Sequence, residues 1–220
     1  MAQLQRRGIS ISDTNTAVFS GRQPLFSNLG RFLYFCPLGV GAYFEYWGYP
    51  KQKILEGDWF ERIALEKDVI VHVLPARHYS ERLLSKNKTL WAGFALETAA
   101  QRIFFSGDSG YGPHFFEIGE AFGGFDLALL DCGQYDPRWS YIHMTPEEAA
   151  QAARDLGARA LIPAHVGRFT IANHPWDEPF KRLTEASQDK SYQLLTPKIG
   201  EPVMQGDTFS QFYSWWTDIR

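Results

Sequence analysis

The chain reads as an α/β domain, and three observations say so. Short apolar, strand-like runs alternate with helical stretches along most of its length. One stretch, from Phe125 to His165, spells out a complete β-α-β unit with signals at both ends of its helix. Hydrophobic residues make up 45% and aromatics 15% of the 220 residues, enough to fill a layered core.

Taken in order, residues 1–30 form an irregular segment. "SISDTNTAVFSGRQPLFSN" sustains neither a period of two nor one of 3.6. The domain is expected over residues 31–220. "RFLYFCPL" predicts a strand stopped by Pro37, and "GVGAYFEYWG" a short helix closed by Gly48, its aromatics on the buried side. "RIALE" and "VIVHVLP" have the branched side chains and period of strands. "TLWAGFALET" and "RIFFSG" predict a hairpin about "AAQ", with one face partly exposed. Phe115 to Phe122 predicts a helix, and Phe125 to Leu130 a buried strand.

"MTPEEAAQAARDLGA" is the clearest helix. Thr145 stands at the N-cap, Pro146 at the first position, Glu147 and Glu148 in the first turn, and Gly157 at the close. "RALIPA" follows as a strand, "DEPFKRLTEASQD" as an amphipathic helix, and Tyr192 to Arg220 as short strands and turns.

Composition narrows the function. The net charge is -3, with Lys+Arg 22 against Asp+Glu 25, and no basic run offers a surface for nucleic acid. No stretch reaches the roughly 20 apolar residues of a transmembrane helix, and the start has no apolar core of a secretory signal. Cys36 and Cys132 both lie in apolar runs and read as buried thiols of a reducing compartment. A cytoplasmic protein is the expectation.

The chemistry-bearing residues stand where strands give way to loops. His78 and His165 each follow a strand and a Pro-containing turn, and Asp108 follows a strand through Gly107. Two imidazoles and a carboxylate suit Zn²⁺ or a similar cation. His143 precedes the capped helix and serves either as a plain helix-start contact or in catalysis. Asp131 either orients a ligand from behind or caps its loop. Tyr135, Trp139 and Phe169 either line an acyl pocket or simply pack. His114 and His174 read as surface residues or as residues behind the ligands, and His72 as part of a strand.

From Arg31 to about Tyr192 the chain resembles the metallo-β-lactamase-fold hydrolases, and within them the branch of N-acyl-phosphatidylethanolamine phospholipase D. The matching pieces are "PLGVGAYFEYWG", "LPARHYSER", "TLWAGFAL", "FFSGDSGYGPHFFEIGEAFGGFDLALL", "YDPRW", "HMTPEEA" and "PAHVGRFTIANHPWDEP". The resemblance implies an αββα four-layer sandwich and a two-metal zinc site. In it His78 binds the first cation, Asp108 bridges both, His165 binds the second, and His143 lies near the reacting phosphate. It also implies hydrolysis of a phosphodiester or related ester in a small or lipid-like substrate, by a hydroxide held between cations about 3.5–4 Å apart.

The chain departs from that family in one respect. The HxHxDH motif expected before "PLGVGA" is absent: no histidine precedes His72, and Asp13 is the only acidic residue before Glu45. Each cation of a two-metal site would keep one histidine and a share of Asp108, fewer than the three protein ligands usual for catalytic zinc. A domain shortened at its N-terminus, weak or reduced metal binding and impaired hydrolysis are therefore expected. An open sheet edge that a second copy of the chain could cover is a further consequence. A non-catalytic binding or assembly role on the same scaffold, and a single-metal site of His78, Asp108 and His165, are the alternatives.

Overall fold

The computed structural model describes residues 33–66, 69–82, 85–168, 171–204 and 211–219. The irregular segment expected over residues 1–30, Asp13 within it, and Phe169 lie outside the described residues.

Fifteen elements are named here: β1 (Tyr34–Pro37), α1 (Gly41–Tyr46), β2 (Ile54–Gly57), β3 (Arg62–Glu66), β4 (Val69–Pro75), β5 (Glu81–Arg82), β6 (Ser85–Lys86), β7 (Ala92–Glu97), β8 (Arg102–Phe105), α2 (His114–Phe122), β9 (Leu127–Asp131), α3 (Pro146–Asp155), β10 (Ala160–Ala164), α4 (Glu178–Ala186) and β11 (Gln193–Leu194). Seven strands form one sheet in the order β11-β10-β9-β8-β7-β4-β3. The β3-β4-β7-β8 half is antiparallel and the β8-β9-β10-β11 half parallel. β1 and β2 pair in parallel as a separate two-stranded sheet.

Strand alternation sorts the core onto two faces. On one face Leu74, Ala95, Phe104, Ala128, Leu130 and Leu161 pack with Phe115 and Ile118 of α2, the alanines of α3 and Leu183 of α4. On the other, Val69, Val71, Val73, Ala92, Phe94 and Leu96 pack with Phe35 of β1. Helices, the large sheet, the small sheet and α1 are thus all present, in keeping with the α/β class. Two expectations change. The aromatics of α1 do not all lie on its buried side: Tyr43 and Phe44 are half-buried, Phe44 against Tyr34 and Tyr49, but Tyr46 is 86% exposed. Of the hairpin expected to keep one face partly exposed, β8 does so, with Ile103 and Phe105 half-buried, whereas β7 is buried on both sides up to Leu96, where Phe35 of β1 packs on it.

α3 forms as its sequence dictates. Thr145 Oγ1 accepts from Glu148 N (3.2 Å), while Glu148 Oε2 accepts from Thr145 N (2.8 Å), a reciprocal capping box. Its four buried alanines, 149, 150, 152 and 153, let the helix approach its neighbours closely. α2 answers with Gly119, where a Cβ would stand 2.2 Å from the Asp155 carbonyl oxygen.

Three further strands, β2 and the two of the β5-β6 hairpin, are short and carry weak patterns; β2 is recognisable only through its pairing with β1.

Candidate metal centre

β4 and β8 both run antiparallel to β7, and β9 and β10 run parallel to β8. The C-terminal ends of β4, β8, β9 and β10 therefore meet along one edge of the sheet. His78 comes three residues after β4, Asp108 three after β8, Asp131 ends β9, and His165 directly follows β10. This direction of strands, fixed by the hairpins and the β-α-β unit, is what gathers residues separated by up to 87 positions.

One ligand atom each from His78, Asp108 and His143 lies within 4.8 Å of the others. Asp108 is 2% and His143 6% exposed. Two atoms on one tetrahedral cation, each about 2.1 Å from it, stand about 3.4 Å apart, so small rotations of these side chains suffice to close on an ion. His165 joins the group: its Nε2 stands 3.6 Å from Asp108 Oδ2, and its ring is 5.4 Å from that of His143. The His78 and His143 rings are 5.2 Å apart.

The tautomers are set by neighbours. The Tyr79 carbonyl oxygen accepts from His78 Nδ1 at 2.7 Å, and the Asp131 carboxylate accepts from His143 Nδ1 at 2.6 Å. Both imidazoles therefore carry their lone pair at Nε2, the arrangement usual for histidines that bind metals. Asp131 is wholly buried. Its carboxylate also accepts from Ser109 N and Gly133 N, each at 3.4 Å, and its own amide donates to Ser106 Oγ at 3.0 Å. Asp131 thus accepts both from His143 and from the backbone of its own loop. His143, beyond starting α3, turns its ring into the group.

His165 adopts φ +57°, the left-handed region that a non-glycine residue enters at a cost of order 1–3 kcal/mol. Its backbone is held there. Gln134 Nε2 donates to the His165 carbonyl oxygen at 3.3 Å, and Gly133 packs so closely that a Cβ on it would clash with that oxygen, at 1.9 Å. Gln134 and Gly133 were missed by reading for chemistry. Their only signal in the sequence is "DCGQ" directly after a buried strand.

The remaining candidates are placed elsewhere. His114, at the start of α2, is half-buried with Nε2 3.4 Å from Ser109 Oγ. Burial, with the Arg77 guanidinium nearby, pushes its pKa down to about 4. His174 stacks on Tyr135 at 4.2 Å. His72 sits in β4 and meets Glu97 at 2.9 Å. Tyr135 is buried and donates to Glu178 Oε1 at 2.6 Å, and Trp139 Nε1 donates to the Gln134 carbonyl oxygen at 2.6 Å, so both pack rather than stand open to solvent. Cys36 and Cys132 are free, buried thiols, and burial together with Glu56 raises that of Cys36 to about 12. Among the described residues no helix is long and apolar enough to cross a membrane.

Comparison with known proteins places this geometry. The family model of the beta-lactamase superfamily domain matches residues 22–166. The outer membrane protein RomA of Klebsiella pneumoniae is 62% identical over 106 residues, covering 48% of this chain and 80% of RomA. The mitochondrial N-acyl-phosphatidylethanolamine-hydrolyzing phospholipase D of Saccharomyces cerevisiae is 38% identical over 180 residues, 77% of this chain and 38% of that protein. Relatives from Mycobacterium are 42% identical, and the chain spans about half their length. Among solved structures, Igni18, a metallo hydrolase of Ignicoccus hospitalis, superposes with a TM-score of 0.57 at 18% identity, covering 74% of this chain and 64% of Igni18. By sequence and by fold, the chain belongs to the beta-lactamase superfamily, on the metallo-β-lactamase fold.

Proposed function

We propose that this chain is a metal-dependent hydrolase of a phosphodiester or related ester bond, acting on a lipid-like substrate. The observation that carries the reading is the convergence of His78, Asp108 and His143 donor atoms within 4.8 Å at the strand ends, with His165 beside them. The likeness to a phospholipase D supports the substrate class.

The donor set fits a borderline divalent cation such as Zn²⁺, because imidazole nitrogen and carboxylate oxygen are its usual partners. His78, Asp108 and His143 would hold it, with His165 beside Asp108. A bound cation of this kind activates water and polarises the scissile bond. The protein's own part is to hold these donors fixed and largely out of water. His143, locked through Nδ1 on Asp131, keeps its Nε2 lone pair directed at the point that the His78 and Asp108 donors share, where it would be a further donor to the cation. The 220 residues contain no HxHxDH motif, so we expect this chain to hold fewer than two equivalents of zinc.

Metal analysis of protein purified without chelator, with hydrolysis of an N-acylated phosphatidylethanolamine, tests the reading. About one equivalent that Asp108→Ala abolishes is the expected result. Undetectable metal in the wild type would favour a non-catalytic scaffold, and unchanged occupancy in Asp108→Ala would remove the assignment of that residue.

A further inference from the structure

The loop that carries His165 is clamped from two sides, and one jaw of the clamp comes from the far C-terminal end of the chain. On the inner side stand Gly133 and Gln134, as described above. On the outer side Val166 packs against a cluster of Phe180, Trp215 and Trp216, which are 4%, 7% and 3% exposed. Gly167, at φ +84°, lies against it: a Cβ there would stand 3.1 Å from Phe180 Cζ and 3.8 Å from Trp215 Cη2.

The outer jaw is itself anchored. Trp215 Nε1 donates to the Thr196 carbonyl oxygen at 3.0 Å, within buried surroundings just past β11. Its ring stacks with Trp176 at 6.2 Å and meets Phe180 edge-on at 5.2 Å, while Trp216 stacks on Phe180 at 4.8 Å. Phe180 belongs to α4, so the helix layer, the end of the sheet and the C-terminal turn Trp215–Asp218 all bear on the loop that follows β10.

A residue in a strained backbone region persists only where its surroundings over-determine it. The inner jaw fixes the His165 carbonyl group, and the aromatic cluster packs against the next two residues, Val166 and Gly167. We propose that the C-terminal turn Trp215–Asp218 is a positioning element of the metal centre, holding His165 in its left-handed conformation through Val166 and Gly167. The proposal rests on reading His165 as a metal ligand. Trp215 touches no reacting group; it acts through the loop.

Hydrogen exchange on the metal-free 220-residue chain and cobalt(II) binding to it test the proposal separately. In Trp215→Ala, amides 164–168 should exchange about tenfold faster than in the wild type while those of Ala149–Ala153 in α3 stay protected. Cobalt(II) affinity should fall about tenfold with altered visible absorption bands, the scale usual for residues that orient ligands from behind. Trp215→Phe, which keeps a ring in place, should restore both. If Trp215→Ala does not fold, Gly167→Ala displaces the loop from within the same contact and carries the same expectations. Unchanged exchange at 164–168, acceleration spread equally through α3, or faster exchange with an unaltered cobalt spectrum would each overturn the proposal. A wild-type chain that binds no cobalt(II) would instead refute the metal reading, leaving the exchange comparison to decide the clamp.

Discussion

Replacing Asp131 by Asn probes the part of the site that the geometry makes most specific. The carboxylate is fully buried and receives His143 Nδ1–H at 2.6 Å, a short charge-assisted bond. Asn keeps the shape and one carbonyl acceptor but removes the charge. Hydrogen bonds to charged groups are worth about 1.5–3 kcal/mol. A neutral replacement that retains roughly half of this lowers stability by about 1 kcal/mol, or roughly 2–4 °C in Tm for a chain of this size. The larger effect falls on the imidazole. With its Nδ1 proton less firmly held, His143 Nε2 becomes a weaker and less directed donor, and loss of such a partner lowers metal affinity about 10–100-fold. Competition with a chromophoric chelator measures the affinity, and thermal unfolding of metal-free protein measures the stability. An Asp131→Asn variant with wild-type metal affinity would show that the Asp131–His143 pair serves the fold alone, and the role assigned to His143 would go with it.

Three further outcomes follow from other parts of the molecule. Gly133→Ala forces a methyl group onto the His165 carbonyl oxygen; urea unfolding should report a loss of about 1–3 kcal/mol, and metal affinity should fall with it, whereas a neutral result would contradict the close approach. His114 has its folded pKa lowered from 6.5 to about 4, so folding favours its neutral form. The stability it contributes is complete above about pH 6.5 and is lost as pH falls toward 4, on the order of 3 kcal/mol; His114→Gln should flatten the pH dependence of the urea midpoint over that window, and an equally steep profile would refute the attribution. Thr145→Ala removes one half of the capping box and should lower stability by about 1 kcal/mol in thermal unfolding, leaving metal binding unchanged.

Much of this was legible in the residues. α3 announced itself through Thr145, Pro146, Glu148 and Gly157 because capping is local chemistry, decided within one turn of chain. β4, β8, β9 and β10 were legible because buried strands must be apolar, and the polar residues at or just beyond their ends, His78, Asp108, Asp131 and His165, stood out for the same reason. What no local pattern carries is contact between distant segments. The exposed Tyr46 of α1 and the buried far face of β7 were misjudged because contacts with distant segments, such as Phe35 of β1 against the β7 face, decide which side is dry. Gln134, Gly133 and Trp215 carry no signature of their own, since their importance lies in which loop they press upon.

The sequence by itself determined the elements, the donor types and the order in which they leave the sheet, because these depend on side-chain chemistry and on spacing along one chain. Only the tertiary structure decided that four strands end at the same edge, that Asp131 lies behind His143, and that His165 is held in a left-handed turn between two jaws. Those depend on strand direction and close packing, where a shift of one or two ångströms separates a ligand from a bystander.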